Sequence, residues 1–332
     1  MSSPSEPYDI VVVGGGPVGL HAALKGAILN HRVLVVDKGS QFSRVSQAPA
    51  IANIPGHPGI SGLDLLRLHR ESLDGFRDIA GKNLVTVLDG TEAFDVARDE
   101  EGFHLKVRAV GDGTNPSTVS GKVLILATGT VDRKPGIGSF GWRGHETMAP
   151  YIRGTEVGYC LLCEGWHLDG KRVAVLGNRH DSVSIAKDVL GHFGGEVALI
   201  TGGEPLEEVE DAQELEKAGI PLVDRPLKAL REREGQLAVL FDDGTEERFD
   251  KGIMSLGMYK VNNELACLLG AKVTAEGYVV TDANCEALDQ EGHRIKGLFA
   301  VGDLRAGSWK QIVVGWGDAE TAVITAYAKR LD

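Results

Sequence analysis

The stretch that most limits how this chain can fold is residues 8–39, YDIVVVGGGPVGLHAALKGAILNHRVLVVDKG. An apolar run, a glycine turn, a helical stretch and a second apolar run ending in an acid make a βαβ unit. Gly14 permits the tight turn, Gly16 lets a pyrophosphate approach the backbone, and Gly19 lets the helix pack close to the strand. The phosphates would lie at a helix N-terminus, where N–H groups lacking intrahelical partners point at them. Asp37 closes the second strand 23 residues after Gly14, a place from which a carboxylate reaches a ribose hydroxyl. With both strands and the acid in place, the unit reads as a dinucleotide site.

The plan recurs at residues 171–203, KRVAVLGNRHDSVSIAKDVLGHFGGEVALITGG, with one change that matters. The position that should be a bare glycine facing the pyrophosphate is Arg179, whose side chain obstructs the close backbone approach. The second strand ends in Thr201-Gly202-Gly203, with neither an acid for one kind of ribose nor an arginine for a ribose phosphate. The expectation is an inherited fold without its ligand, the alternative being that Arg179 and His180 bind phosphate by charge. Downstream, EPLEEVEDAQELEKAG predicts a helix starting near Pro205, with acids in its first turn. LKALREREGQLAVLFDDGTEERFDKG predicts strands joined by turns at 233–236 and 242–245.

At 332 residues the chain is longer than one core comfortably holds, so two domains, or one inserted in another, are expected. No apolar run approaches the roughly 18 residues needed to span a bilayer. The start, MSSPSEPYDI, lacks the basic region and apolar core of a secretory signal, so a cytoplasmic location is expected and no membrane partner. A net charge of −12, with no basic cluster to offset it, argues against nucleic acid as a partner.

Four cysteines do not make a disulfide scaffold, but two of them form Cys160-Leu161-Leu162-Cys163. The pair could be half of a zinc site, a structural clip or a redox centre. Zinc would want two more closely spaced ligands, and neither Cys267, Cys285, His167 nor His180 has a matching neighbour, so no metal site is read. A clip would close too small a loop to stabilise much, whereas this spacing favours reducible bonds and lowered thiol pKa values. Redox exchange is the better reading.

Three later fragments sharpen it: KVLILATGT (Lys122 to Thr130), GLFAVGDL (Gly297 to Leu304) and YCLLCEGW. Together with VVVGGGPVGL, NIPGHPGISGLDLL, GMYKVNNEL and RAGSWKQIVVGWGDAETAVITAY, they cover almost the whole chain. In this combination the sequence resembles the low-molecular-weight thioredoxin reductases, which are two-dinucleotide-binding flavoproteins. The resemblance implies an α/β fold of two Rossmann-like three-layer domains, the second inserted in the first. It places the FAD domain at residues 1–137 and 259–332 and the inserted, pyridine-nucleotide-type domain at 138–258. FAD is implied on Gly14, Gly16, Pro17, Gly19, Asp37, Lys38 and Asn53 from the first half. Ala127, Thr128 and Gly129 of the ATG turn join them, with Gly302, Asp303, Lys310, Gln311 and Ile312 from the C-terminal stretch. Asp303 would contact the ribitol, and the helix start at Lys310–Ile312 would lie at the pyrimidine end of the isoalloxazine, where a helix N-terminus favours negative charge.

By the same resemblance Cys163 faces the flavin and Cys160 attacks a thioredoxin-like partner. Glu164 stands where the family usually has Asp and would carry the thiol proton, the alternative being a plain surface glutamate. Tyr259 and Trp316 depart from the family's usual residues, Trp309 and Trp316 flank the helix start, and these aromatics would touch the flavin or, for Trp316, a dimer contact, a homodimer being implied. Arg179 and Thr201-Gly203 depart from the NADPH-using pattern, which points to the pyridine-nucleotide-independent branch with reduced ferredoxin as candidate donor. Competing readings are an oxygen-using dithiol oxidase, an ordinary NADPH-dependent reductase, and a redox-silent binding flavoprotein.

Overall fold

The computed structural model describes residues 6–77, 82–112, 115–133 and 156–330. The chain runs β1 (Tyr8–Val13), α1 (Pro17–Ile28), β2 (Val33–Val36), α2 (Gly62–Asp74), β3 (Val85–Leu88), β4 (Thr91–Arg98), β5 (Phe103–Ala109), β6 (Ser117–Leu126) and β7 (Thr130–Asp132). It continues through β8 (Val157–Gly158), α3 (Leu161–Glu164), β9 (Arg172–Leu176), α4 (His180–Phe193), β10 (Glu196–Ile200), α5 (Val209–Ala218) and β11 (Leu222–Val223). Next come β12 (Leu227–Arg233), β13 (Gln236–Phe241), β14 (Glu246–Phe249), β15 (Lys251–Met254) and β16 (Met258–Val261). The chain ends with α6 (Glu264–Leu268), β17 (Glu286–Leu288), β18 (Arg294–Ala300) and α7 (Ile312–Ala328).

Two compact units result, one of residues 1–46, 61–131 and 260–332, the other of 47–60 and 132–259. The cut expected at 137/138 falls outside the described residues, as do Lys134 to Gly138. Residues 47–60, which hold Asn53, group with the second unit, a placement that the linear motif does not announce.

In the first unit the sheet order is β17-β18-β6-β1-β2-β3, with β5 added on β6 and β4 on β5. β1 pairs in parallel with both β2 and β6, so the chain leaves it in opposite senses and opens a crevice at the carboxyl edge. Strands of four to six consecutive apolar residues are explained by burial on both faces. One face packs Ile10, Val12, Val33 and Val35 under Leu20, Ala23, Ala319 and Val323. The other packs Val11, Leu34 and Leu124 against Phe103, Leu105 and Leu304. Pro17 starts α1, where its missing N–H costs nothing.

The second unit repeats the arrangement with a five-stranded parallel sheet, β11-β10-β9-β15-β8. Helices cover one face through Val183, Ala186 and Val189. The antiparallel β12-β13-β14 covers the other, packing Leu237, Val239 and Phe241 on Ala174 and Leu176. The expected turns at 233–236 and 242–245 link these strands. The expected helix at Pro205 is displaced: α5 begins at Val209, because 203–208 is held elsewhere. Among the described residues no helix is long and apolar enough to cross a membrane.

Candidate functional site

The carboxyl edge of the first sheet gathers most of the residues expected to hold a dinucleotide. Gly14 has a φ of 109°, and a Cβ there would overlap the Ala127 carbonyl at the end of β6. A Cβ on Gly19 would overlap the Gly14 carbonyl, so these two glycines serve the fold itself. Gly16 differs. A Cβ on it would meet only Ser43 Oγ at 3.5 Å, leaving open space above the start of α1. The turn is therefore closed on its protein side and open where a pyrophosphate would approach, which fits the group.

Asp37, 7% exposed, accepts the Gly15 N–H at 3.0 Å on one carboxylate oxygen and Arg70 at 2.8 Å on the other. Lys38 is exposed and pairs with Glu92 at 3.3 Å. The Ala127-Thr128-Gly129 turn is pinned by Asn262: Thr128 Oγ1 donates to its carbonyl at 2.6 Å, and its side-chain amide donates to the Thr128 carbonyl at 2.9 Å. Gly302 N–H donates to buried Asp318 at 3.1 Å, and Asp303 pairs with Arg44 at 2.6 Å. Arg305 and Ser308 also bond Asp318, which braces the turn from β18 to α7. Lys310 donates to the Arg305 carbonyl at 3.0 Å and sits 4.0 Å from the centre of the Tyr278 ring, where burial pulls its pKa down. Gln311 is the N-cap and Ile312 the first residue of α7, as expected.

The braces Arg44, Asn262 and Asp318 escape sequence reading, since their partners lie 259, 134 and 16 residues away. Trp316 is half-buried. Its ring lies between His21 at 5.7 Å and His69 at 5.3 Å, and its Nε1 donates to the Pro17 carbonyl. Trp309 is 71% exposed, and the Tyr259 side chain lies outside the described residues.

In the second unit Cys160 and Cys163 are joined as a disulfide, their Cα atoms 5.3 Å apart. The pair is held in one helical turn, because the Cys163 and Glu164 N–H groups both donate to the Cys160 carbonyl, at 3.0 and 3.2 Å. Glu164 folds back and accepts the Tyr159 N–H at 3.1 Å, occupying the space a Cβ on Gly158 would need. It is thus tied to the backbone beside Cys160 instead of waving on the surface. Gly165 rests against the Phe193 ring, which seats the turn on α4, while Leu162 and Trp166 stay 67% and 61% exposed.

The glycine turn of the second unit is closed by the chain's own charge. Glu207 pairs with the Arg179 guanidinium at 3.3 Å and accepts the His180 N–H at 3.4 Å. A carboxylate therefore sits at the N-terminal end of α4, where a phosphate would sit. Asn178 fixes the closing segment, donating to the Pro205 carbonyl and accepting the Glu207 N–H, both at 2.8 Å. At the ribose end Thr201 Oγ1 donates to Asp224 at 2.7 Å. His180 Nδ1 bonds buried Asp211 at 2.7 Å, which holds its pKa above the usual value.

The sequence profile of the pyridine nucleotide-disulphide oxidoreductases matches residues 8–319, nearly the whole chain. The chain belongs to that family. The family member is similar to the thioredoxin reductase of Aquifex aeolicus, 26% identical over 326 residues covering 95% of this chain and 90% of that one. It is similar also to that of Bacillus subtilis, 25% identical over 325 residues, with 95% and 92% covered. The crystal structure of thioredoxin reductase from Streptococcus pyogenes superposes with a TM-score of 0.77 at 22% identity, covering 97% of each chain, and bears out the two-domain Rossmann-type fold. This pyridine nucleotide-disulphide oxidoreductase is a flavin-dependent disulfide oxidoreductase with FAD as its cofactor.

Proposed function

We propose that this enzyme reduces a thioredoxin-like protein through Cys160 and Cys163 and draws its electrons from a donor other than NADPH, reduced ferredoxin being the candidate. The observation that carries the donor half is the Glu207 carboxylate on Arg179 and the His180 N–H, which takes the place a coenzyme pyrophosphate would need. Expelling it would leave Arg179 without its partner and bring phosphates into a turn that lacks a glycine at this position. The curated relatives named thioredoxin reductase support the partner half.

The residues divide the work as follows. Gly14, Gly16, Pro17 and Gly19 form the phosphate cradle; Ala127, Thr128, Gly129, Asp37 and Lys38 flank it, and Gly302, Asp303, Lys310, Gln311 and Ile312 hold the flavin end. Asn53 is assigned by motif position alone. FAD, bound there and reduced by the donor, would supply the two electrons that open the Cys160–Cys163 disulfide. The Cys160 thiolate then attacks one sulfur of the partner's disulfide, breaking that bond and leaving a mixed disulfide with a partner thiolate as leaving group. Cys163 attacks Cys160 Sγ, restores the internal disulfide and releases the second partner thiolate; two protons complete the partner's dithiol. Glu164, tied beside Cys160, is the proposed carrier for one of them. Val313, Ile324 and Tyr327 leave apolar surface on α7, in keeping with a homodimer.

An anaerobic donor panel tests the reading. Mixed with NADPH or NADH, the flavin absorbance should stay unchanged over many turnover times, and reduced ferredoxin should bleach it. Rapid bleaching by NADPH would overturn the donor assignment while leaving the cysteine chemistry intact.

A further inference from the structure

We propose that His180, Glu208 and Asp211 form a divalent-cation site of the zinc type, which fastens the segment 203–211 onto the N-terminal end of α4. The site lies wholly in the second unit and does not depend on how the flavin is reduced.

The three side chains meet although they come from distant parts of the sequence. Asp211 lies 2.7 Å and Glu208 3.7 Å from the same nitrogen, His180 Nδ1, and the three ligand atoms all fall within 4.8 Å of one another. Zinc bonds of about 2.0–2.2 Å to nitrogen and oxygen place tetrahedral ligands roughly 3.3–3.6 Å apart, so shifts of roughly 1 Å, within reach of the two exposed side chains, would accommodate the ion. One imidazole and two carboxylates suit zinc better than calcium or magnesium, which favour all-oxygen sets.

A second observation is independent of this clustering. Asp211 is only 1% exposed, and its Oδ2 atom has no hydrogen-bond partner. A buried carboxylate oxygen without a donor is costly, and a cation held by both Asp211 oxygens, Oδ1 facing His180 and the unpartnered Oδ2, would remove the cost. His180 and Glu208 have side chains 46% and 55% exposed, which gives the ion a path from solvent and leaves a coordination position for water.

A second trio, Asp289, Glu291 and His293, has the same composition but lacks this feature. It lies on one exposed turn, where Asp289 accepts the N–H groups of Glu291 and His293 at 3.0 and 2.8 Å. That trio carries no proposal and serves as the control. Spacing hid the first site: Glu208 and Asp211 lie 28 and 31 residues after His180.

The test uses the FAD-loaded protein with its Cys160–Cys163 disulfide kept oxidised, so that the thiols cannot take metal. After chelation it is titrated with zinc chloride against a chromophoric competitor. Wild type and His293→Gln should each take up one tight equivalent per chain, while His180→Gln should bind at least about 100-fold more weakly, at or beyond the range seen when supporting partners of a metal ligand are lost. Zinc should raise the melting temperature of wild type and leave that of His180→Gln unmoved. His180 is half exposed, so this variant keeps its flavin spectrum and fold; Asp211→Asn, buried, is read only alongside it. Absence of stoichiometric uptake by wild type, or equal uptake by His180→Gln, would overturn the site and leave a plain histidine–carboxylate pair.

Discussion

Cys163→Ser is expected to capture a thioredoxin-like partner in a stable mixed disulfide, while turnover falls on the order of 10⁴-fold or more, as when an essential member of a catalytic set is removed. Cys160 remains to attack, but nothing follows to release the product. Cys160→Ser should lose turnover equally and capture nothing, since the thiol left behind is the one assigned to the flavin side. Mass spectrometry of the non-reduced mixtures separates the two variants. Capture by Cys160→Ser and not by Cys163→Ser would reverse the assignment; capture by neither would leave the pair redox-silent toward such partners. Both variants should fold normally, because the turn is held by backbone bonds from Cys163 and Glu164 to the Cys160 carbonyl, which serine preserves.

The glycines of the first turn provide the second large effect, and they should part company. Gly19→Ala puts a methyl group into the Gly14 carbonyl, a backbone atom that cannot step aside. Overpacking of this kind costs about 1–3 kcal/mol, and the variant should purify colourless with a lowered melting temperature. Gly16→Ala meets only Ser43 Oγ at 3.5 Å, and the φ of −71° there suits alanine. Its apoprotein should therefore melt like wild type, and the cost should appear in the cofactor alone, as roughly 5–150-fold weaker FAD binding for the same 1–3 kcal/mol. Unchanged affinity in Gly16→Ala, measured by flavin fluorescence on reconstitution, would mean that the phosphates do not pass over this residue.

What the sequence made legible, and what it concealed, follows from how far apart the partners lie. Glycine turns between apolar strands are local signals, so both Rossmann-like sheets, the N-terminal positions of α1 and α7 and the hairpins of the second unit could be placed from the string alone. The helix expected at Pro205 starts at Val209 because Pro205 and Glu207 are recruited by Asn178 and His180, some 27 residues earlier. The departure at Arg179 is plain in the string, yet the carboxylate it holds is not, for the same reason. The contacts of Trp316 with His21, His69 and the Pro17 carbonyl were hidden likewise, because no short-range pattern reports partners so far apart in the chain. Glu164 could be read as a proton carrier or a surface residue, and only the fold shows its bond to Tyr159.

The closure over α4 also bears on how coenzyme use could be engineered into this chain. Arg179→Gly alone would leave Glu207 as a negative charge facing incoming phosphates, while Glu207→Ala alone would leave the Arg179 side chain in place against Gly257. On the proposed reading a designer would therefore have to change both positions together before a phosphate could meet an open turn.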